Sequence, residues 1–147
     1  MSLIYEAIER QVGTTPRVLD VGVGDGEALG DIDADIIGVD LHKSCQNDSV
    51  TYIQADGTQL PFVSNSFDVV VSNQVIEHIP HRKKQSYVSE LARVLKPEGE
   101  CLVLFPSRFY PAPPASNATL FHVAPSARGS NNRQTLPLRP QIPILQG

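Results

Sequence analysis

The chain has little cysteine, no long apolar run and no excess of positive charge. Its two cysteines, Cys45 and Cys101, form neither a metal-ligand spacing nor a disulfide framework, which suits a reducing cytosol. No apolar stretch approaches the roughly 20 residues that span a bilayer, so no membrane association is expected. Met1 to Arg10 carries acids where a secretory signal would carry an apolar segment. The formal net charge of -4 argues against a nucleic-acid partner. What remains, at 147 residues with 41% hydrophobic and 19% charged, is the composition of one globular domain with a core of useful size.

A second absence divides the chain. Residues 106–147 contain no Asp, Glu or Lys, only four arginines, and eight of the twelve prolines. Residues 1–105 hold all sixteen acids against eight Lys and Arg. Proline at that density excludes regular helices and central strands. The expectation is a folded α/β body over residues 1–105 and an irregular tail over 106–147. Within the tail, Asn117–Ala124 is the one candidate strand.

The body alternates strand-like and helix-like patterns. Ser2 is placed to N-cap a first helix whose apolar face is Leu3, Ile4, Ala7 and Ile8. Five short apolar runs follow: Arg17–Val21, Asp35–Asp40, Val50–Gln54, Phe67–Ser72 and Cys101–Phe105. They are rich in Val and Ile and mostly lack polar alternation, as strands buried on both faces do. A further helix is expected from Arg82 to Leu95, where Tyr87, Val88, Leu91, Ala92 and Leu95 recur at helical spacing. Lys96-Pro97-Glu98-Gly99 stops it. The connection through Leu60-Pro61-Phe62 is read as lacking a helix.

The chemistry begins at Val18-Leu19-Asp20-Val21-Gly22-Val23-Gly24-Asp25-Gly26. A strand ends in an acid, glycines alternate, and a helix is expected to start. Glycine is needed where the backbone turns tightly or approaches a ligand, and a helix start would aim amides at a bound anion. Two more acids repeat the placement. Asp40 ends the second strand, where a carboxylate can accept hydrogen bonds from a ribose diol, and Leu41 beside it offers a face for a base. Asp56, followed by Gly57, stands just past the third strand, where it can accept from an adenine amino group. All three acids fall on the carboxyl edge of the sheet, where doubly wound folds bind their ligands.

Taken as a set, Asp20 to Gly26, Asp40, Asp56-Gly57, Leu60-Pro61-Phe62 with Ser66-Phe67-Asp68, and Leu95 to Gly99 resemble the class I S-adenosylmethionine-dependent methyltransferases. The resemblance covers about residues 17–105. It implies S-adenosylmethionine as cofactor, with Asp20, Gly22 and Gly24 around the methionine end and Asp40 on the ribose. Asp56 and the Gly57 amide would hold the adenine, and Asn73 would sit near the methionine amino group through its backbone. A nicotinamide-dinucleotide reading is the nearest competitor, but it wants glycine at the last position of G-x-G-x-x-G, where this chain has Glu27.

On the acceptor side, Asn73-Gln74-Val75-Ile76-Glu77-His78-Ile79 follows the fourth strand. An acceptor hydroxyl or amine must lose a proton, and His is the usual base. His78 is therefore the candidate catalytic residue, with Glu77 beside it; the alternative for both is a solvated helix start. Glu77-His78 resembles part of a Glu-x-x-Glu-His metal site, but Gln74 holds the first glutamate position, so no metal is expected.

The expected fold is a Rossmann-like three-layer α/β sandwich. Its five parallel strands run in the order 3-2-1-4-5, without the final antiparallel pair that the family adds. The expected activity is methyl transfer to a small-molecule acceptor. The alternative is a truncated relative that binds cofactor weakly, or acts through a protein partner, without turnover. An uncovered edge at the fifth strand would invite a second copy or a protein partner.

Overall fold

A computed structural model describes residues 3–11, 13–29, 32–42, 46–104 and 121–122. The described elements are α1 (Leu3–Glu9), β1 (Arg17–Val21), β2 (Asp35–Asp40), β3 (Val50–Gln54), β4 (Phe67–Asn73), α2 (His81–Val94), β5 (Leu95–Leu104) and β6 (Phe121–His122). β1, β2 and β3 have the bounds expected from their apolar runs. β-Branched side chains suit an extended backbone covered on both faces.

The sheet order is β3-β2-β1-β4-β5-β6, and the first five strands are parallel. The chain therefore leaves β1 toward one edge and returns to β4 on β1's other side. The carboxyl ends of β1 and β4 stand side by side where the strand order reverses, and such folds open a crevice at this edge of the sheet.

Each face of the sheet carries its own core. On one, α2 lays Tyr87, Leu91 and Val94 against Leu19, Val21, Val70 and Val103. On the other, Ile4, Ala7 and Ile8 of α1 pack with Val18, Val69, Val71 and Leu102. Alternation along β1 sends successive side chains to opposite faces, so α2 and α1 cover the two sides of one sheet. Among the described residues, no helix is long and apolar enough to cross a membrane.

Three expectations need correction. No α-helix follows the glycine run among the described residues. A single 3-10 turn over Glu27–Leu29 stands there, and residues 30 and 31 lie outside the described set. Gly30 and Asp31, both poor helix formers, arrive within one turn of that start.

β5 begins at Leu95 rather than Cys101, directly at the end of α2, where Leu95 is already extended. Two steps along β4, from Phe67 to Val69, match five along β5, from Leu95 to Glu100. Lys96–Gly99 thus forms an irregularity inside the strand. Pro97, which has no amide hydrogen, is tolerated at such a place.

The edge of β5 is not fully uncovered: β6 pairs antiparallel with it, His122 opposite Leu102 and Phe121 opposite Val103. This strand falls inside Asn117–Ala124, the candidate strand of the tail. The expectations for Ser2, Cys45, Phe105 and the rest of the tail lie outside the described residues.

Candidate active site

At the carboxyl edge a cleft of about 380 Å³ opens between the loops that follow β1, β2, β3 and β4. Gly22, Asp40, Leu41, Asp56, Gly57, Asn73 and His78 all line it. Seven of the ten site residues expected from sequence are thus brought together, although they are spread over 57 positions of the chain.

The β1 loop forms one wall. Gly22 has a φ of +84°, and a Cβ there would run into the Val75 side chain. The Gly22 and Val23 amides both donate to the Val39 carbonyl, at 2.7 and 3.1 Å, which ties this loop to the end of β2. Asp40 is gripped from two sides. Its Oδ2 accepts from the Gly24 amide at 3.1 Å and its Oδ1 from the His42 amide at 3.2 Å. A carboxylate offers about four acceptor positions, so two remain for a ligand. Leu41, 55% exposed, presents an apolar face beside them.

On the neighbouring strand end, where the Ala55 amide donates to the Asp40 carbonyl at 3.0 Å, Asp56 closes a tight turn. Its Oδ1 accepts from both the amide and the hydroxyl of Thr58, at 2.8 and 2.7 Å. Its Oδ2 lies 3.6 Å from the Lys83 ammonium. The two Thr58 hydrogen bonds, with Lys83 adding to them, hold this carboxyl below its usual range. Gly57 is required by close approach: a Cβ there would stand 2.6 Å from the Tyr87 ring and 2.9 Å from Val21.

Beneath the cleft, the Tyr87 and Ser72 hydroxyls share a buried hydrogen bond of 2.7 Å. Burial pushes the Tyr87 phenol well above its ordinary value, so it stays protonated. Gln74 lines the cleft with a φ of +55°, a conformation uncommon outside glycine, and its amide donates to the Leu104 carbonyl.

Three expected residues are not on the wall. Gly24 acts through its amide on Asp40. Glu77 is exposed and does not line the cleft, whereas its neighbour His78 is exposed and does. Asp20 is only 2% exposed, and its Oδ1 has no hydrogen-bond partner among the described residues. Burial, reinforced by the charge of Asp40, pushes its carboxyl up to about 7. Leu19 and Val21 point to the α2 side, so Asp20 between them faces the other.

The cleft also contains residues that sequence reasoning did not single out as site residues. Ala55 directly precedes Asp56 and His42 stands two residues after Asp40, a signal that could have found them. Tyr87 has only the helical spacing of a core residue. Among the described residues, no group of three or more His, Cys, Asp or Glu could hold a metal ion.

The family described as methyltransferase domain matches residues 19–103, more than half of the chain. This chain belongs to the class I S-adenosylmethionine-dependent methyltransferases. Similar proteins include a demethylmenaquinone methyltransferase of Renibacterium salmoninarum, 33% identical over a 103-residue alignment, gaps included, that covers 63% of this chain and 43% of that protein. A ubiquinone/menaquinone biosynthesis C-methyltransferase of Stutzerimonas stutzeri is 32% identical over a 106-residue alignment, gaps included, that covers 60% of this chain and 41% of that protein. Among solved structures, phosphoethanolamine N-methyltransferase 2 of Haemonchus contortus in complex with S-adenosyl-L-methionine superposes with a TM-score of 0.55 at 31% identity. The match covers 69% of this chain and 27% of that one. The methyltransferase chain thus spans less than half the length of the curated relatives it matches.

The residues present fit the family's cofactor. The buried Oδ1 of Asp20 has no hydrogen-bond partner among the described residues, and a cation beside it would favour its ionised form; S-adenosylmethionine carries an ammonium and a sulfonium. The spaces a Cβ would fill at Gly22 and Gly57 lie along the same cleft.

Proposed function

We propose that this chain binds S-adenosylmethionine in the cleft and supplies the methyl-donor half of a transfer to a small-molecule acceptor. The convergence of Asp40, Asp56 and the two close-packed glycines Gly22 and Gly57 on one cleft carries this reading. The relatives named for quinone and phosphoethanolamine methylation support a small acceptor without selecting one.

When bound, the cofactor supplies an electrophilic methyl carbon on a sulfonium. The chain's own residues bind and orient. Asp40, held by two amides, accepts from the ribose hydroxyls through its remaining lone pairs. Asp56, kept ionised by Thr58 and Lys83, accepts an exocyclic amino hydrogen at Oδ2 while the Gly57 amide donates to the ring. Leu41 covers one face of the base. Asn73 and Gln74 border the methionine end, opposite the β1 loop. In-line displacement depends on such positioning. His78 at the cleft mouth takes the proton that an acceptor hydroxyl or amine releases. Glu77 stands as an exposed neighbour of that base.

The test is incubation of the chain with methyl-labelled S-adenosylmethionine and a panel of small hydroxyl, amine and quinol acceptors. Label transferred to an acceptor, with S-adenosylhomocysteine released in equal amount, is expected. Cofactor binding with no transfer to any acceptor would favour the cofactor-binding module without turnover.

A further inference from the structure

One face of α2 tracks the loop after β3 from end to end. Lys83 stands 3.6 Å from the Asp56 carboxylate, and one turn later the Tyr87 ring fills the space beside Gly57. Glu90 then accepts the Leu60 amide at 2.7 Å through Oε2. Arg93 donates to the Phe62 carbonyl at 2.6 Å and the Leu60 carbonyl at 3.1 Å. Residues 83, 87, 90 and 93 share a helix face by their spacing. At the end of the helix, the Arg93 and Val94 carbonyls accept the Asn65 and Ser66 amides at 3.0 and 2.7 Å.

The strongest part of this attachment is the Glu90–Arg93 pair. Arg93 Nε and Nη2 bond the two Glu90 oxygens at 2.7 and 2.9 Å, and both side chains are mostly covered. The pair lowers the Glu90 carboxyl and raises the Arg93 guanidinium, each through the hydrogen bonds between them. Together the two side chains satisfy three backbone groups of a loop that has no ladder of its own. Paired charges with their remaining hydrogen-bonding capacity used on backbone are the arrangement that fixes geometry in a partly buried place. Yet neither residue lines the cleft.

We propose that Glu90 and Arg93 are positioning residues for the nucleoside end of the cleft: through Leu60 and Phe62 they fix the loop that presents Asp56 and the Gly57 amide. This rests on the reading of the cleft as an S-adenosylmethionine site. The pair acts on affinity, not on the methyl group. Its hydrogen bonds run within the pair and to Leu60 and Phe62, so its effect falls on the adenosine part of any ligand.

The experiment measures binding of S-adenosylhomocysteine and of adenosine alone to the full chain by calorimetry. The proteins are the wild type, Glu90→Gln, Arg93→Ala and a control, Val69→Ala, which weakens the opposite core. Amide hydrogen exchange is followed on the same samples.

In Arg93→Ala and Glu90→Gln the Kd should rise on the order of tenfold for both ligands. Exchange should quicken at Leu60 and its neighbours but not in β1 or β2. The control should lose stability with its Kd unchanged. Unchanged affinity in the two clamp variants, with wild-type binding intact, overturns the positioning role alone. An equal loss of affinity in Val69→Ala overturns it too, by tracing the effect to global stability. Wild-type protein that binds neither ligand overturns both this role and the cofactor reading.

Discussion

The α-carbon of Gly22 sits against the side chain of Val75, so that no Cβ fits between the loop after β1 and the loop after β4. Two walls of the cleft meet at this contact. Gly22→Ala should therefore pay twice, about 1–2 kcal/mol for a side chain at positive φ and more for the collision. Adding Val75→Ala should recover the collision and leave the backbone strain. Urea unfolding of the two single variants and the double variant measures this. Strictly additive losses would show that the two residues do not touch.

A second prediction concerns pH. Asp20 is buried in β1, and burial together with Asp40 pushes its carboxyl up to about 7 from the ordinary carboxylate range. A carboxyl raised in the folded state favours folding while protonated. That stability is fully present below about pH 4 and is lost as pH rises through 7, with a ceiling of about 4 kcal/mol. Asp20→Asn, uncharged at every pH, should remove this dependence and be more stable than wild type at pH 8. Unfolding free energies between pH 4 and 8 check it, and parallel curves for the two proteins would contradict it.

His78 borders the cleft but is exposed, so its contribution should be to rate. His78→Ala should lower turnover by roughly 10²–10⁴-fold with cofactor affinity nearly unchanged. An equal fall in affinity and rate would assign it a structural part. EDTA should leave activity unaltered, since Gln74 stands where a metal-binding relative would have glutamate.

Much of this arrangement is legible in the sequence because it follows from local rules. Arg17–Val21, Asp35–Asp40 and Val50–Gln54 are short apolar runs bounded by turn residues, and the sheet uses them as they stand. Asp40 and Asp56 are found because strand ends in such a fold converge. What escapes the sequence is the outcome of packing between distant segments. Nothing near Asp20 says that it is sealed while Asp40 borders the cleft; that depends on strand alternation and on the core against β1. Tyr87 has the spacing of any core residue, yet its hydroxyl meets Ser72 and its ring walls the cleft. Glu90 and Arg93 reach a loop 30 residues away, and their own surroundings read as an exposed helix face. The start of β5 at Leu95 is hidden by a Pro-Glu-Gly run that looks like a simple helix stop.

Calorimetric titration of S-adenosylhomocysteine into wild-type chain and Asp40→Ala tests the central claim most directly. The two amides on Asp40 leave its other lone pairs for a ribose diol, and charge-assisted bonds of that kind contribute about 1.5–3 kcal/mol each. Wild-type chain should bind one equivalent and prefer it to NAD, and Asp40→Ala should bind on the order of tenfold more weakly or worse. Equal affinity in the two proteins, or a preference for NAD, would contradict the assignment of this cleft.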